Sequence, residues 1–176
     1  FHLGYSYFTV QRFEQAKPLL NTIRQMPKDP NYLDANYYYG FISFYDRSYN
    51  DALEAFTVVE DHDRYRKVVP YYISTIRYSL NQEDNALAYA ENKLKNGNQY
   101  YDLEMRQLVG HSYFMKRQFD KAVPYLAAYV GQSKKVSRQD LYELSYSYYQ
   151  TGDLPKAIEG FKQLGGKEDS LAQNAM

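Results

Sequence analysis

"YGFISFYDRSYNDALEAF", residues 39–56, carries the pattern from which the rest of the chain is read. Apolar residues recur at three- and four-residue intervals up to Tyr45, break across Asp46 to Ser48, and then resume, which reads as helix, turn, helix. Ser48 with Asp51 three residues later predicts a capping box at the start of the second helix. Gly40 and Ala52 are small residues 12 positions apart, one in each helix. Around Gly40 the stretch "YYYGFISFY", residues 37–45, places six aromatic rings in nine residues.

The same pattern recurs along the chain. "LGYSYFTVQRFEQAKPLL" from Leu3, "VGHSYFMKRQFDKAVPYL" from Val109, "LSYSYYQTGDLPKAIEGF" from Leu144 and a weaker copy, "ISTIRYSLNQEDNALAYA" from Ile73, align with it without gaps. One column then holds Gly4, Gly40, Ser74, Gly110 and Ser145, and a second holds Ala16, Ala52, Ala86, Ala122 and Ala157. Successive alanines are 36, 34, 36 and 35 residues apart. Phe13, Tyr49, Phe119 and Leu154 sit three before the alanine, and only Glu83 breaks that column. A residue with almost no side chain lets two helices approach closely, so both columns predict contact points within each hairpin.

At these columns the chain resembles the tetratricopeptide repeat family. The family's Leu-Gly pair, the tyrosine three further on and the later alanine are met by Leu3, Gly4, Tyr7 and Ala16, and by Val109, Gly110, Tyr113 and Ala122. The chain departs from that pattern in lacking the first-helix tryptophan, at Ser74 and Ser145, and at Arg77, where the third copy lacks the tyrosine. The resemblance covers nearly the whole chain and implies an all-α, right-handed superhelical solenoid of helix-turn-helix repeats.

Punctuation by Pro27, Asp29-Pro30, Asp61 to Asp63, Gly97, Gly131 and Gly165-Gly166 predicts hairpins near 1–27, 30–60, 64–96, 100–131 and 137–165, with 166–176 starting a further helix. Asp29 reads as a helix cap before a proline at the first helical position. Pro18, Pro124 and Pro70 are expected to bend their helices. Both ends read as cuts inside a longer array, with exposed apolar edges.

Composition narrows the function. Lys plus Arg and Asp plus Glu both number 21, without a basic run, which argues against nucleic acid. The chain has no cysteine, so disulfides and thiolate chemistry are excluded. No apolar run approaches the roughly eighteen residues of a membrane span, so no direct membrane insertion is expected. Phe1 stands first, so any targeting segment lies upstream or never existed. His2, His62 and His111 lie far apart, and no phosphate-cradling loop or nucleophile elbow occurs, so neither a cofactor, a metal nor an enzymatic activity is expected.

The compositional excess is 22 tyrosines, with no tryptophan. Tyrosine suits surfaces that are half buried or that bind other molecules. In the family resembled, first helices line a concave face. Carried over by register, the inward positions are Tyr5 and Phe8; Asp34, Tyr37, Phe41 and Phe44; Tyr71, Thr75 and Tyr78; Gln107, His111 and Phe114; and Tyr142, Tyr146 and Tyr149. Tyr7, Tyr39, Tyr113 and Tyr148 fall between helices as core. The carboxylate clamp that some family members use is absent, because Tyr5, Tyr37, Phe41, Tyr71 and Thr75 occupy its positions. These features imply a non-catalytic scaffold that binds a peptide or protein segment on an aromatic concave groove. The alternatives are a glycan or small-molecule binder with stacked tyrosines, and a structural, self-associating segment. "VVPYYIS", residues 68–74, is similar to segments of long tetratricopeptide proteins of bacterial envelopes, which points to the periplasm or envelope.

Overall fold

The computed structural model describes residues 1–173 as backbone, with side chains described through Gly165. The described residues form ten α-helices: α1 (His2–Thr9), α2 (Phe13–Arg24), α3 (Tyr32–Tyr45), α4 (Tyr49–Val59), α5 (Val69–Ser79), α6 (Glu83–Lys95), α7 (Asp102–Met115), α8 (Phe119–Gln132), α9 (Arg138–Gln150) and α10 (Leu154–Gln173). They pair as five hairpins. The chain divides into two compact units, Phe1–Tyr100 with three hairpins and Tyr101–Met176 with two.

Every hairpin closes with the same turn. Gln11, Arg47, Asn81 and Arg117 adopt φ between 58° and 60°, and Gly152 adopts 84°. Each stands five residues before its alanine. The N–H of the next residue returns to the helix just ended: Arg12 to Tyr7, Ser48 to Ser43, Gln82 to Arg77, Gln118 to Tyr113 and Asp153 to Tyr148, at 2.8–2.9 Å. The N–H groups of the left-handed residues reach Phe8, Phe44, Tyr78, Phe114 and Tyr149. Together these two bonds make a Schellman cap, which normally wants glycine at the left-handed position. Four of the five turns hold a side chain there instead. Arg117→Gly is therefore expected to raise the stability of the second unit by about 0.5–1 kcal/mol. A urea midpoint that does not rise contradicts this.

The small columns do pack inside the hairpins. All five alanines are at most 2% exposed, and Gly4, Gly40, Ser74, Gly110 and Ser145 are buried. A β-carbon at Gly40 would stand 3.0 Å from the Phe56 ring, and one at Gly110 would stand 2.8 Å from the Leu126 side chain. At Gly4 it would meet Leu19 at 3.2 Å and Leu20 at 3.4 Å. Gly40 and Gly110 thus face the residue sixteen positions on, which Gly4 shares with the residue before it, a third column that alignment of small residues does not reveal. Ala90 stands sixteen after Ser74, whereas in the last hairpin it is Gly160, fifteen after Ser145, that faces the Ser145 hydroxyl, with Phe161 at the sixteenth position. The third hairpin keeps the shared turn despite lacking the tyrosine, and the Arg77 guanidinium lies 4.5 Å from the Tyr89 ring centroid.

Several boundaries differ from the sequence expectation. Ser48 stands at the N-cap of α4 but its side chain makes no capping bond. The complete capping box is at Ser137 and Asp140, which open α9. Asp29 does not cap α3, which begins at Tyr32 after Asn31. Its carboxylate accepts instead from the Asn31 N–H at 2.7 Å, a local turn that competes with helix entry. The third hairpin begins at Val69 rather than near residue 64, because Pro70 needs the first turn, where its missing N–H costs nothing. Pro70 is therefore no source of a bend, while Pro18 and Pro124 lie inside α2 and α8. α10 passes through Gly165-Gly166 rather than stopping there. Two glycines weaken a helix by about 1 kcal/mol each without removing a backbone donor. Of the further helix expected over 166–176, residues 174–176 lie outside the described residues.

Candidate interaction site

In the first unit the rings of α1, α3 and α5 touch one another in a continuous chain. Phe1 stacks on Tyr5 at 5.9 Å, Tyr5 meets Tyr38 at 5.1 Å, and Tyr38 meets Phe8 at 4.7 Å. Phe8 reaches Phe41 at 5.5 Å, and Phe41 reaches Tyr45 at 4.7 Å and Tyr72 at 5.9 Å. Aromatic pairs at these separations favour tilted and edge-to-face geometry, which locks the helix faces together beyond simple area burial.

Register alone does not decide which rings reach solvent. Phe8, Phe44 and Phe114 occupy equivalent positions, and each is pinned against the ring that opens its second helix: Phe13 at 5.6 Å, Tyr49 at 6.2 Å and Phe119 at 5.7 Å. Phe44 also lies 5.0 Å from Tyr72. These three are half-buried seam residues. Tyr37 is half-buried beneath Tyr65, stacked at 4.4 Å, because the segment between α4 and α5 folds over that end of α3. Asp34 is held there by Arg64 and by the Tyr65 hydroxyl. Tyr71 packs edge-on against Tyr72 at 5.3 Å, and Tyr71, Thr75 and Tyr78 are half-buried. Tyr5 is exposed.

In the second unit the inward positions split into a polar seam and an aromatic strip. Gln107 of α7 donates to the buried Asp140 of α9 at 2.7 Å, and His111 Nδ1 lies 2.8 Å from Glu143, which is 3% exposed. Gln139 also donates to Glu143 at 2.8 Å, and the backbone N–H of Ser137 donates to Asp140 at 2.7 Å. A buried carboxylate is tolerated only when so partnered. Beside this seam Tyr142 stacks on Tyr146 at 5.9 Å, and Tyr146 lies 6.3 Å from Tyr149. Phe114 closes one flank at 6.0 Å from Tyr146, and Phe161 lies 6.4 Å from Tyr142. Tyr142 and Tyr149 are 47% and 55% exposed.

Sequence register missed Tyr38, Tyr45 and Tyr65. Tyr45 follows the inward Phe44 by one residue and is 61% exposed. Tyr65 lies in a segment without periodicity and had no signal to find it.

Three tyrosines are strongly perturbed. Burial, and then the neighbouring Tyr5, push the Tyr38 phenol up to about 12. Burial and donation to Asp34 push Tyr65 higher still, and burial with donation to Glu60 does the same for Tyr89. A phenol of raised pKa holds its proton more tightly in the folded chain than in the unfolded one. Stability is therefore unaffected below the ordinary tyrosine value near 10 and falls as pH rises beyond it. Tyrosinate absorbance is expected to show these three groups ionising only with unfolding. Their titration alongside the exposed tyrosines, in a chain that keeps its helix signal, contradicts this.

Among the described residues, no group of three or more His, Cys, Asp or Glu side chains could hold a metal ion, and no helix is long and apolar enough to cross a membrane.

The stacked hairpins, their shared turn and the paired small columns define the tetratricopeptide-repeat fold, an all-α solenoid class. Solved structures agree. MamA from Desulfovibrio magneticus RS-1 superposes with a TM-score of 0.72 at 18% identity, covering 96% of this chain and 93% of that one. YrrB, described as a TPR protein with an unusual peptide-binding site, gives 0.70 at 19% identity over 93% and 81%. A tetratricopeptide repeat protein from Parabacteroides merdae gives 0.73 at 14% identity over 96% and 65%. No family model matches the sequence, and no curated protein matches it.

Proposed function

We propose that this chain is a non-catalytic interaction scaffold that holds a peptide or protein segment against the exposed tyrosines of its first helices. The carrying observation is the α9 strip, in which Tyr142 and Tyr149, 47% and 55% exposed, flank the half-buried Tyr146. Tyrosine offers rigid contact area at low entropic cost, and contiguous exposed aromatic surface marks interaction sites more often than idle surface. Tyr5 and Tyr45 offer a second, smaller set in the first unit. A peptide-binding site in YrrB, a protein of the same fold, is consistent with this use.

A glycan site would need polar groups converging beside the rings. The polar groups of that seam are hydrogen-bonded in two sets, Gln107 with Asp140, and His111 and Gln139 with Glu143. The peptide reading is favoured for that reason. Peptides selected from a displayed random library against the whole chain provide the test. Tyr142→Ala combined with Tyr149→Ala should weaken a selected peptide about tenfold or more, near 1.4 kcal/mol, with helix content unchanged. Undiminished affinity in the folded double variant would refute the strip.

A further inference from the structure

We propose that the groove between α4, α5 and α6 of the first unit binds a carboxylate ligand on Arg77. The site shares no residue with the α9 strip and does not depend on it.

Arg77 is where the third hairpin leaves the repeat pattern, since Tyr7, Tyr113 and Tyr148 occupy that column in three of the others. In the fourth and fifth hairpins the first helix supplies the ring and the second helix the cation, with Lys121 5.5 Å from the Tyr113 centroid and Lys156 5.1 Å from that of Tyr148. The third hairpin reverses the pair. Its cation, Arg77, comes from α5 and its ring, Tyr89, from α6. The Tyr89 hydroxyl donates to Glu60, which anchors the ring as a platform for the guanidinium.

Stacking holds the guanidinium by its face and leaves its in-plane N–H donors open. Among the described residues, the half-buried Arg77 makes no ion pair and donates no side-chain hydrogen bond. Glu60 is engaged by Tyr89, and Glu60 and Asp61 both face Lys93, at 3.8 and 3.1 Å. The groove beside Arg77 encloses about 540 Å³. Its α6 wall carries Asn85, Tyr89 and Asn92 at successive turns of one face, with Gln82 at the N-cap, and Leu53 of α4 adds an apolar surface. No carboxylate among the described residues lines it. Gln82, Asn85 and Asn92 also make no side-chain hydrogen bond within the described residues. Unpaired polar groups converging on a partly apolar pocket are the usual form of a small-ligand site.

The guanidinium edge presents parallel N–H donors that match the two oxygens of a carboxylate. One guanidinium balances one charge. A carboxylate therefore leaves the groove neutral, whereas a phosphate monoester, with a charge of about −1.5 to −2 near pH 7, would leave excess negative charge within a ring's length of Glu60. Side-chain amides both donate and accept, so the group next to the ligand's carboxylate is one that does both. An amide does so in an acylated amino acid or peptide, and hydroxyls do so in a sugar acid.

The test titrates the ¹⁵N-labelled whole chain near pH 7 with N-acetylglycine, gluconate, inorganic phosphate and sodium chloride at matched ionic strength, following the Arg77 Nε–H signal and the Asn85 and Asn92 side-chain amides. The expected result is a saturable shift with at least one of the two carboxylates, at a concentration about fivefold or more below that needed for phosphate, and none with chloride. Preference for N-acetylglycine marks a peptide or acylated amino acid as the source, and preference for gluconate marks a free hydroxy acid. Arg77→Gln should abolish the saturable response of the amides. Arg77→Lys keeps the charge without the fork and should weaken binding about fivefold or more, with helix content unchanged. A phosphate response at or below the carboxylate concentration overturns the carboxylate assignment. The site itself is overturned if neither carboxylate gives a saturable shift in the unaltered chain, or if folded Arg77→Gln binds as well. Neither failure bears on the α9 strip.

Discussion

Truncating Phe56 to alanine is expected to cost the first unit about 3–5 kcal/mol, the range for losing a fully buried phenylalanine. The ring is 0% exposed. It fills the space left by Gly40, stacks on Tyr72 at 5.2 Å and lies 6.3 Å from Tyr37, so one side chain joins α3, α4 and α5. On the α3 side Gly40 has no side chain that could move into the void. Urea unfolding followed by circular dichroism reads the loss directly. A cost below about 1 kcal/mol would mean that Phe56 is not the filler of that hairpin.

Leucine at Gly110 is the second large effect, with an expected cost of about 1–3 kcal/mol from overpacking. Leucine is the better helix former by up to about 1 kcal/mol, so packing must outweigh that gain for the sign to hold. It does so because even a β-carbon would sit 2.8 Å from Leu126 and 3.1 Å from its backbone nitrogen, and backbone moves only with the helix. In the third repeat the same two positions hold Ser74 and Ala90. Combining Gly110→Leu with Leu126→Ala should therefore cost less than the two changes summed, by about 1 kcal/mol or more. Simple additivity would contradict the size exchange between columns.

Much of the fold was legible because its determinants repeat at fixed spacing. Gly40 and Ala52 gain meaning from Gly110 and Ala122, and their burial follows from the closeness of the helices they join. The partner column was hidden because its members vary in size: Leu20, Phe56, Ala90, Leu126 and Phe161. The left-handed turn residues were hidden for the opposite reason. Gln11, Arg47, Asn81 and Arg117 share a backbone conformation but no side-chain property that would announce it. Ser48 and Ser137 show that a capping pattern gives a position, whereas the bond depends on how the chain arrives: Ser137 enters in an extended conformation with ψ 166°, Ser48 with ψ 67°.

The site was legible only in outline. Register placed the rings of the first helices on one side, yet neighbours decide which remain open. Phe8, Phe44 and Phe114 are closed off by the rings that begin their second helices, and Tyr37 by Tyr65 from a connecting segment. Tyr142 and Tyr149 stay open on α9, with the half-buried Tyr146 between them.

The most direct measurement is a crystal structure of the chain with a library-selected peptide. The account predicts the peptide lying along α9 in contact with Tyr142, Tyr146 and Tyr149. A peptide seated on another surface, with those three rings still open to solvent, would contradict it.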